Sequence, residues 1–155
     1  MKQAREKGFT LIELLIVMSV IAILVSIALP RFKGMQDEGN IAKAKGELRT
    51  LQNAVESYYI HHAQTYPADA AGFAALVNET PNLVGTVMPK DPFNGTNAYG
   101  YAVGGPASNK TYAIYSVGPV QNGSVTVNGT TGAVTESNGT SAIFISNAQS
   151  DTTGP

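Results

Sequence analysis

Residues Phe9–Leu29 form an apolar run of 21 residues, relieved only by Thr10, Glu13, Ser19 and Ser26. As a helix rising 1.5 Å per residue, such a run is about 30 Å long, the thickness of the hydrocarbon core of a bilayer. The remainder of the 155-residue chain has room for one ordinary domain with a modest core, because so much of the apolar content is spent in this run. Glu13 is the anomaly. An acid at bilayer depth costs about 2.5–3.5 kcal/mol on insertion scales, so it is a functional hypothesis by default. Gly8, just ahead of it, ends a short charged leader. If the chain is cut after Gly8, the new amine on Phe9 can neutralise the Glu13 of a neighbouring copy.

Gly8, Phe9, Thr10, Leu11, Ile12 and Glu13, with Pro30 at the far end of the run, resemble the class III signal and first helix of type IV pilins and type II secretion pseudopilins. The resemblance implies cleavage between Gly8 and Phe9 by a prepilin peptidase, N-methylation of Phe9, and assembly residues at Glu13 and Pro30. It implies a single-pass precursor in the bacterial inner membrane that becomes a periplasmic or cell-surface filament. The implied partners are further copies in a homopolymer, the peptidase, an inner-membrane assembly platform and the membrane itself. Lys2, Arg5 and Lys7 before the run and Arg31 and Lys33 after it bias the orientation only weakly; the prepilin reading places the N-terminus in the cytoplasm. An ordinary secretory signal cut near Ser26-Ile27-Ala28 is one alternative, but its apolar region is usually 7–15 residues. A plain anchor with Glu13 reaching the head groups is another. Neither accounts for the Gly8–Phe9 junction and the acid together.

Pro30 lacks an N–H and crowds the carbonyl of Ser26, which predicts a kink or loosening; Gly34 and Gly39 weaken the helix further. In filaments of the resembled family the stretch before this proline is often unwound. Beyond it, Ile41, Ala44, Leu48, Leu51, Val55 and Tyr58 recur at steps of three and four, one face of an amphipathic helix ending near His62. Lys43, Glu47, Arg49, Gln52 and Glu56 are assigned to the opposite face. His61 and His62 point to different sides and are read as solvated helix-end residues without a metal.

Asp69 is a candidate N-cap for a short helix or turn over Ala70–Val77. Pro89-Lys90-Asp91-Pro92-Phe93-Asn94-Gly95 reads as a rigid turn leading to a strand at Tyr99-Gly100-Tyr101, and Thr111–Val117 alternates as a strand up to Gly118-Pro119. These elements resemble those of major pseudopilins and of some type IV pilins. Asn122-Gly123, Asn128-Gly129 and Asn138-Gly139 suggest hairpin turns between strands near 124–128, 132–136 and 141–146. Six Asn-x-Ser/Thr sequons begin at Asn78, Asn94, Asn109, Asn122, Asn128 and Asn138 and are read mainly as turn chemistry. The resemblance also implies calcium in the loop after Gly118-Pro119. That loop reads Val120-Gln121-Asn122-Gly123 without a carboxylate, so no cofactor is expected and the Val/Thr hairpin is the candidate staple.

Several function classes are excluded or disfavoured. There are no cysteines, hence no disulfides and no cysteine metal site. The net charge of −1 falls by two when Met1–Gly8 is removed, so bulk charge does not favour nucleic acid. No phosphate-cradling loop, zinc helix or nucleophile with a positioned base is present, so no catalytic residues are assigned and an enzyme is not expected. The expected architecture is α+β: a leader (1–8), a transmembrane assembly helix (9–29), its amphipathic continuation (30–62), an extracytoplasmic region with an antiparallel sheet (63–147) and a tail (148–155). The helix would be about 80 Å long, the handle of a ladle. The function this implies is a structural filament subunit, since non-closing head-to-tail contacts make fibres. Two destinations stay open. The Asn/Gly/Thr-rich hairpins, taken as exterior decoration, and the acid-poor loop lean toward a surface pilus; Pro89–Gly95 and Tyr115–Pro119 point to a type II secretion pseudopilus. A third reading, of another class, is a membrane-anchored extracytoplasmic binding module that never polymerises.

Overall fold

The computed structural model describes residues 8–95, 97–106, 110–137 and 141–148. Residues 1–7 of the expected leader (1–8), the turn at Asn138-Gly139, the sequon at Asn109 and residues 149–155 of the expected tail (148–155) lie outside the described residues. The chain divides into two units, residues 1–38 and 39–155. One helix, α1 (Leu11–His61), belongs to both.

In the first unit every apolar side chain from Phe9 to Met35 that could join a core is exposed instead. The helix is long and apolar enough to cross a membrane, and none of its most apolar window is buried. The two serines of its apolar run bond their hydroxyls to their own backbone, which satisfies them in an apolar surround. Ser19 Oγ donates to Ile16 O and Ser26 Oγ to Ile23 O, each at 2.7 Å. The expected loosening at Pro30 is absent from the subunit, because α1 continues through the proline. A proline removes one N–H and crowds one carbonyl, while the turns on either side keep their own bonds.

In the second unit, helix residues from Gly39 to His61 pack on a sheet. Ala44, Leu48, Leu51, Ala54 and Val55 are buried, with Ile41 and Tyr58 packed against them. A short helix, α2 (Ala70–Ala74), is capped by Asp69, whose carboxylate accepts Gly72 N at 2.8 Å, and runs into a 3₁₀ turn over Ala75–Asn78. Five strands follow: β1 (Gly100–Gly104), β2 (Thr111–Ser116), β3 (Ser124–Val127), β4 (Val134–Ser137) and β5 (Ile143–Ser146). They make two antiparallel sheets, β1-β2-β5 and β3-β4.

The central strand β2 explains the layering. Tyr112 and Ile114 face the cluster that contains the helix stripe, while Ala113 and Tyr115 face a second cluster with Val125, Val127, Val134, Ala142 and Phe144. Helix covers one face of the three-stranded sheet and the β3–β4 hairpin covers the other. The inner face of the hairpin, with Val125 buried and Val127 and Val134 partly buried, thus packs on the sheet, whereas the sequence reading took the hairpin as exterior decoration; Thr126 and Thr135 on its outer face are exposed. The hairpin is closed by Asn128–Ala133, with Asn128 N donating to Ala133 O at 2.9 Å and Asn128 Oδ1 accepting Thr130 N and Thr131 N. The strands flanking Asn138-Gly139 do not pair with each other; β5 pairs with β2 instead, with Tyr115 opposite Phe144.

Candidate functional site

The N-terminal site starts with local sequence. Thr10 is the N-cap of α1 and Glu13 occupies the third helical position, the spacing of a capping box. Glu13 N donates to Thr10 Oγ1 at 3.3 Å. Thr10 N and Thr10 Oγ1 donate back to Glu13 Oε2 at 3.4 and 3.3 Å. The pair satisfies backbone donors that the helix start leaves over, and the negative charge complements the positive end of the helix dipole. Glu13 Oε1 makes no hydrogen bond among the described residues, so one carboxylate oxygen stays free for an outside donor. Sequence reasoning singled out Glu13 and missed the role of Thr10, although Thr-x-x-Glu at the start of an apolar helix is itself the signal.

The structure places Gly8, Phe9 and Thr10 ahead of the first helical turn, all exposed. A Cβ at Gly8 would meet nothing within 4 Å. The Gly8–Phe9 bond is thus an exposed junction just ahead of the helix. Pro30 lies 17 residues after Glu13 in the same unit and makes no contact with it.

A second constellation fixes helix to sheet. Tyr99 Oη donates to Glu47 Oε2 and Tyr112 Oη to Glu56 Oε1, each at 2.6 Å; Tyr66 Oη reaches Glu56 Oε2 at 3.4 Å. Glu47 and Glu56 were expected to face solvent; instead each accepts a tyrosine hydroxyl. They are nine residues apart, half a turn around the helix from one another, and so flank the buried stripe on its two sides. Burial first, then the hydrogen bond to the neighbouring carboxylate, pushes the Tyr99 and Tyr112 hydroxyls above the ordinary tyrosine range; burial likewise raises Tyr101. Tyr101 Oη donates to Pro67 O at 3.0 Å. Gly100, between the two tyrosines, faces the other way. A Cβ there would lie 2.2 Å from the ring of Tyr115, so only glycine leaves room for it.

A third feature is Asp91, 1% exposed, whose carboxylate accepts Phe93 N, Ser116 Oγ and Val117 N at 3.0, 2.7 and 2.9 Å. Sequence reasoning took Lys90-Asp91 as part of a rigid turn and did not single out the buried carboxylate. The Asp-Pro-aromatic run was the available clue, because an Asx side chain readily caps the amide two residues on. His61 is exposed, as expected, but His62 is half-buried, stacked on Tyr58 at 3.8 Å and 3.6 Å from Glu79 Oε2. The histidine pair is thus only partly solvated. An open groove of 460 Å³ runs between helix and β5, lined by Lys45, Leu48, Arg49, Gln52 and Ile143–Ser146. It holds no acid or histidine, and its one hydroxyl, Ser146 Oγ, donates to Tyr112 O at 2.7 Å.

An exposed apolar helix with one acid near its start, continued by an α+β unit, defines the pilin-like class of subunits. Comparison with known proteins narrows the class. The family "Type II secretion system (T2SS), protein G" matches residues 31–136, and the "Prokaryotic N-terminal methylation motif" matches residues 3–29. "Type II secretion system core protein G" of Pseudomonas aeruginosa is 29% identical over 128 residues, covering 76% of this chain and 87% of the relative. The protein of the same name from Escherichia coli is 28% identical over 128 residues, covering 74% and 83%. That of Aeromonas hydrophila is 33% identical over 79 residues, covering 51% and 54%. No solved structure matches the chain. The chain belongs to the type II secretion system protein G family, the major pseudopilins.

Proposed function

We propose that this chain is the main structural subunit of a type II secretion pseudopilus. It is made as a single-pass precursor in the bacterial inner membrane with its N-terminus in the cytoplasm. A prepilin peptidase cuts between Gly8 and Phe9 and methylates the Phe9 amine. The assembly platform then moves the subunit out of the lipid into a periplasmic homopolymer built around the apolar helices. Glu13 supplies the registry: in lipid its carboxylate is costly, Thr10 answers only part of that cost, and the methylated Phe9 amine of a neighbour answers the rest. Pro30 marks the place where the helix yields when subunits pack.

The observation that carries this reading is the helix from Leu11 to Gln36, exposed throughout, whose one acid, Glu13, has a second oxygen without a hydrogen bond among the described residues. The relatives' names favour the secretion apparatus over a surface pilus. The buried inner face of the β3–β4 hairpin removes the sequence argument for a decorated exterior. The test is Glu13→Ala. The variant should accumulate in the membrane at the wild-type level and enter sheared fibres poorly. Normal fibres from it would sink the registry role, and an unprocessed N-terminus with no fibres from the wild type would favour a tethered binding module.

A further inference from the structure

The family resemblance implies calcium in the loop after Tyr115-Ser116-Val117-Gly118-Pro119, and the residues there do not fit the ion. A calcium site collects six to eight oxygens, with carboxylates among them. Residues 117–123 and 137–142 contain no carboxylate. Among the described residues no three His, Cys, Asp or Glu side chains gather anywhere. Three oxygens of the loop are engaged with protein donors. Gly118 O accepts Gln121 N at 2.9 Å, and Val117 O accepts Gly123 N at 3.0 Å. Asn122 Oδ1 accepts Ser141 Oγ at 2.8 Å, and the same hydroxyl lies 3.5 Å from Val117 O. Gly118 has φ +72°, and a Cβ there would fall 1.6 Å from Ser141 O, so the two backbone segments are in direct contact.

We propose that this loop is closed without a metal, by a hydrogen-bond web anchored on the buried carboxylate of Asp91. Asp91 takes Phe93 N, Ser116 Oγ and Val117 N. Ser116 Oγ in turn accepts Gly118 N at 3.2 Å. From Val117 and Gly118 the bonds pass to Gln121, Gly123, Asn122 and Ser141. The web thereby joins the Asp91–Phe93 turn, the end of β2 and the start of the last strand. A calcium ion would join such segments by attracting oxygens to one centre. Here a single upstream anion attracts N–H and O–H donors instead, and the loop carries neutral side chains because it has no cation to balance. The staple is thus this web rather than the strand pairing of the hairpin. The one acid in that hairpin, Glu136, sits opposite Val125 with Oε1 enclosed and without a hydrogen-bond partner among the described residues; a lone carboxylate does not make a calcium site.

The test uses the full chain in detergent, with the near-ultraviolet circular dichroism of its tyrosines followed on heating. The proposal expects the same midpoint in EDTA and in calcium chloride, and no binding heat when calcium chloride is titrated in. Ser141→Ala and Asn122→Ala should each lower the midpoint by about 4–8 °C, equally with and without calcium. A midpoint raised by calcium would overturn the proposal, and loss of that rise in Glu136→Gln would assign the ion to Glu136. Unchanged midpoints in both alanine variants would overturn it as well. The outcome does not depend on polymerisation, so it can fail while the pseudopilin reading stands.

Discussion

The two tyrosine–carboxylate contacts make the sharpest stability prediction, because they act at separate places on one helix. Tyr112→Phe removes a 2.6 Å bond to Glu56 and leaves the ring in place. A hydrogen bond to a charged group contributes about 1.5–3 kcal/mol, and a carboxylate left unpaired in a dry site would lose all of it. Glu56 is only part-buried and keeps its 3.4 Å contact with Tyr66, so water and Tyr66 recover a share. The expected loss is about 1–2 kcal/mol, or roughly 4–8 °C in the melting midpoint of a domain near 100 residues. Tyr99→Phe should cost a similar amount through Glu47. Along the helix the two acids are about 13 Å apart, beyond the range at which substitutions usually couple. Denaturant unfolding of the full chain in detergent would measure the cycle. Tyr112→Phe with Glu56→Gln should couple by about 1 kcal/mol or more, and Tyr112→Phe with Tyr99→Phe should add to within about 0.5 kcal/mol. A neutral Tyr112→Phe, or strong coupling across the two pairs, would refute the claim that each clamp holds its own side of the stripe.

Asp91→Ala leaves three buried or part-buried donors without an acceptor, at about 1–3 kcal/mol each, so the variant should lose most of its stability and be degraded in cells; wild-type accumulation would contradict the anchoring role. Leu51→Ala, at a fully buried position of the stripe, should cost about 2–5 kcal/mol by equilibrium unfolding, whereas the same change at exposed Leu24 should leave unfolding of the second unit unaltered. The raised Tyr99 and Tyr112 hydroxyls give a pH dependence. The folded state favours the neutral phenol, so their contribution is complete below the ordinary value of about 10 and is lost as pH rises toward the higher folded values. Tyrosinate absorbance from these residues should therefore appear together with loss of native dichroism above about pH 10; titration with the fold intact would refute it.

Much of this fold was legible because its signals are periodic. Steps of three and four from Ile41 to Tyr58 named the buried stripe, and the alternation across Thr111–Val117 named the central strand. Glu47 and Glu56 were misplaced for a physical reason. A residue at the edge of an apolar stripe looks like a solvent residue until the hydroxyl that meets it is known, and Tyr99 and Tyr112 lie more than 50 positions away in sequence. Pairing of β5 with β2 across the intervening hairpin was hidden likewise, since turn chemistry reports local reversals and not which strand a chain returns to. The hairpin's inner valines looked like decoration because their partners, Ala113 and Phe144, lie in other strands. At the N-terminal site, the glycine junction and the acid in the apolar run single out Gly8, Phe9 and Glu13 as candidates, whereas the capping contact of Thr10 needed the helix start to be located.

Glu13 links these levels. Its spacing from Thr10 caps the helix, its place in an exposed apolar run makes it costly in lipid, and its free oxygen can accept a donor from outside the chain. That account requires a Phe9 amine, which exists only after cleavage. Mass spectrometry of the mature chain from cells is therefore the most direct test. The account predicts a chain that begins at Phe9 and is one methyl group heavier at that amine, with no copy retaining Met1–Gly8 in the fibre fraction. Fibres whose subunits still begin at Met1, or begin at a residue within the apolar run, would contradict it.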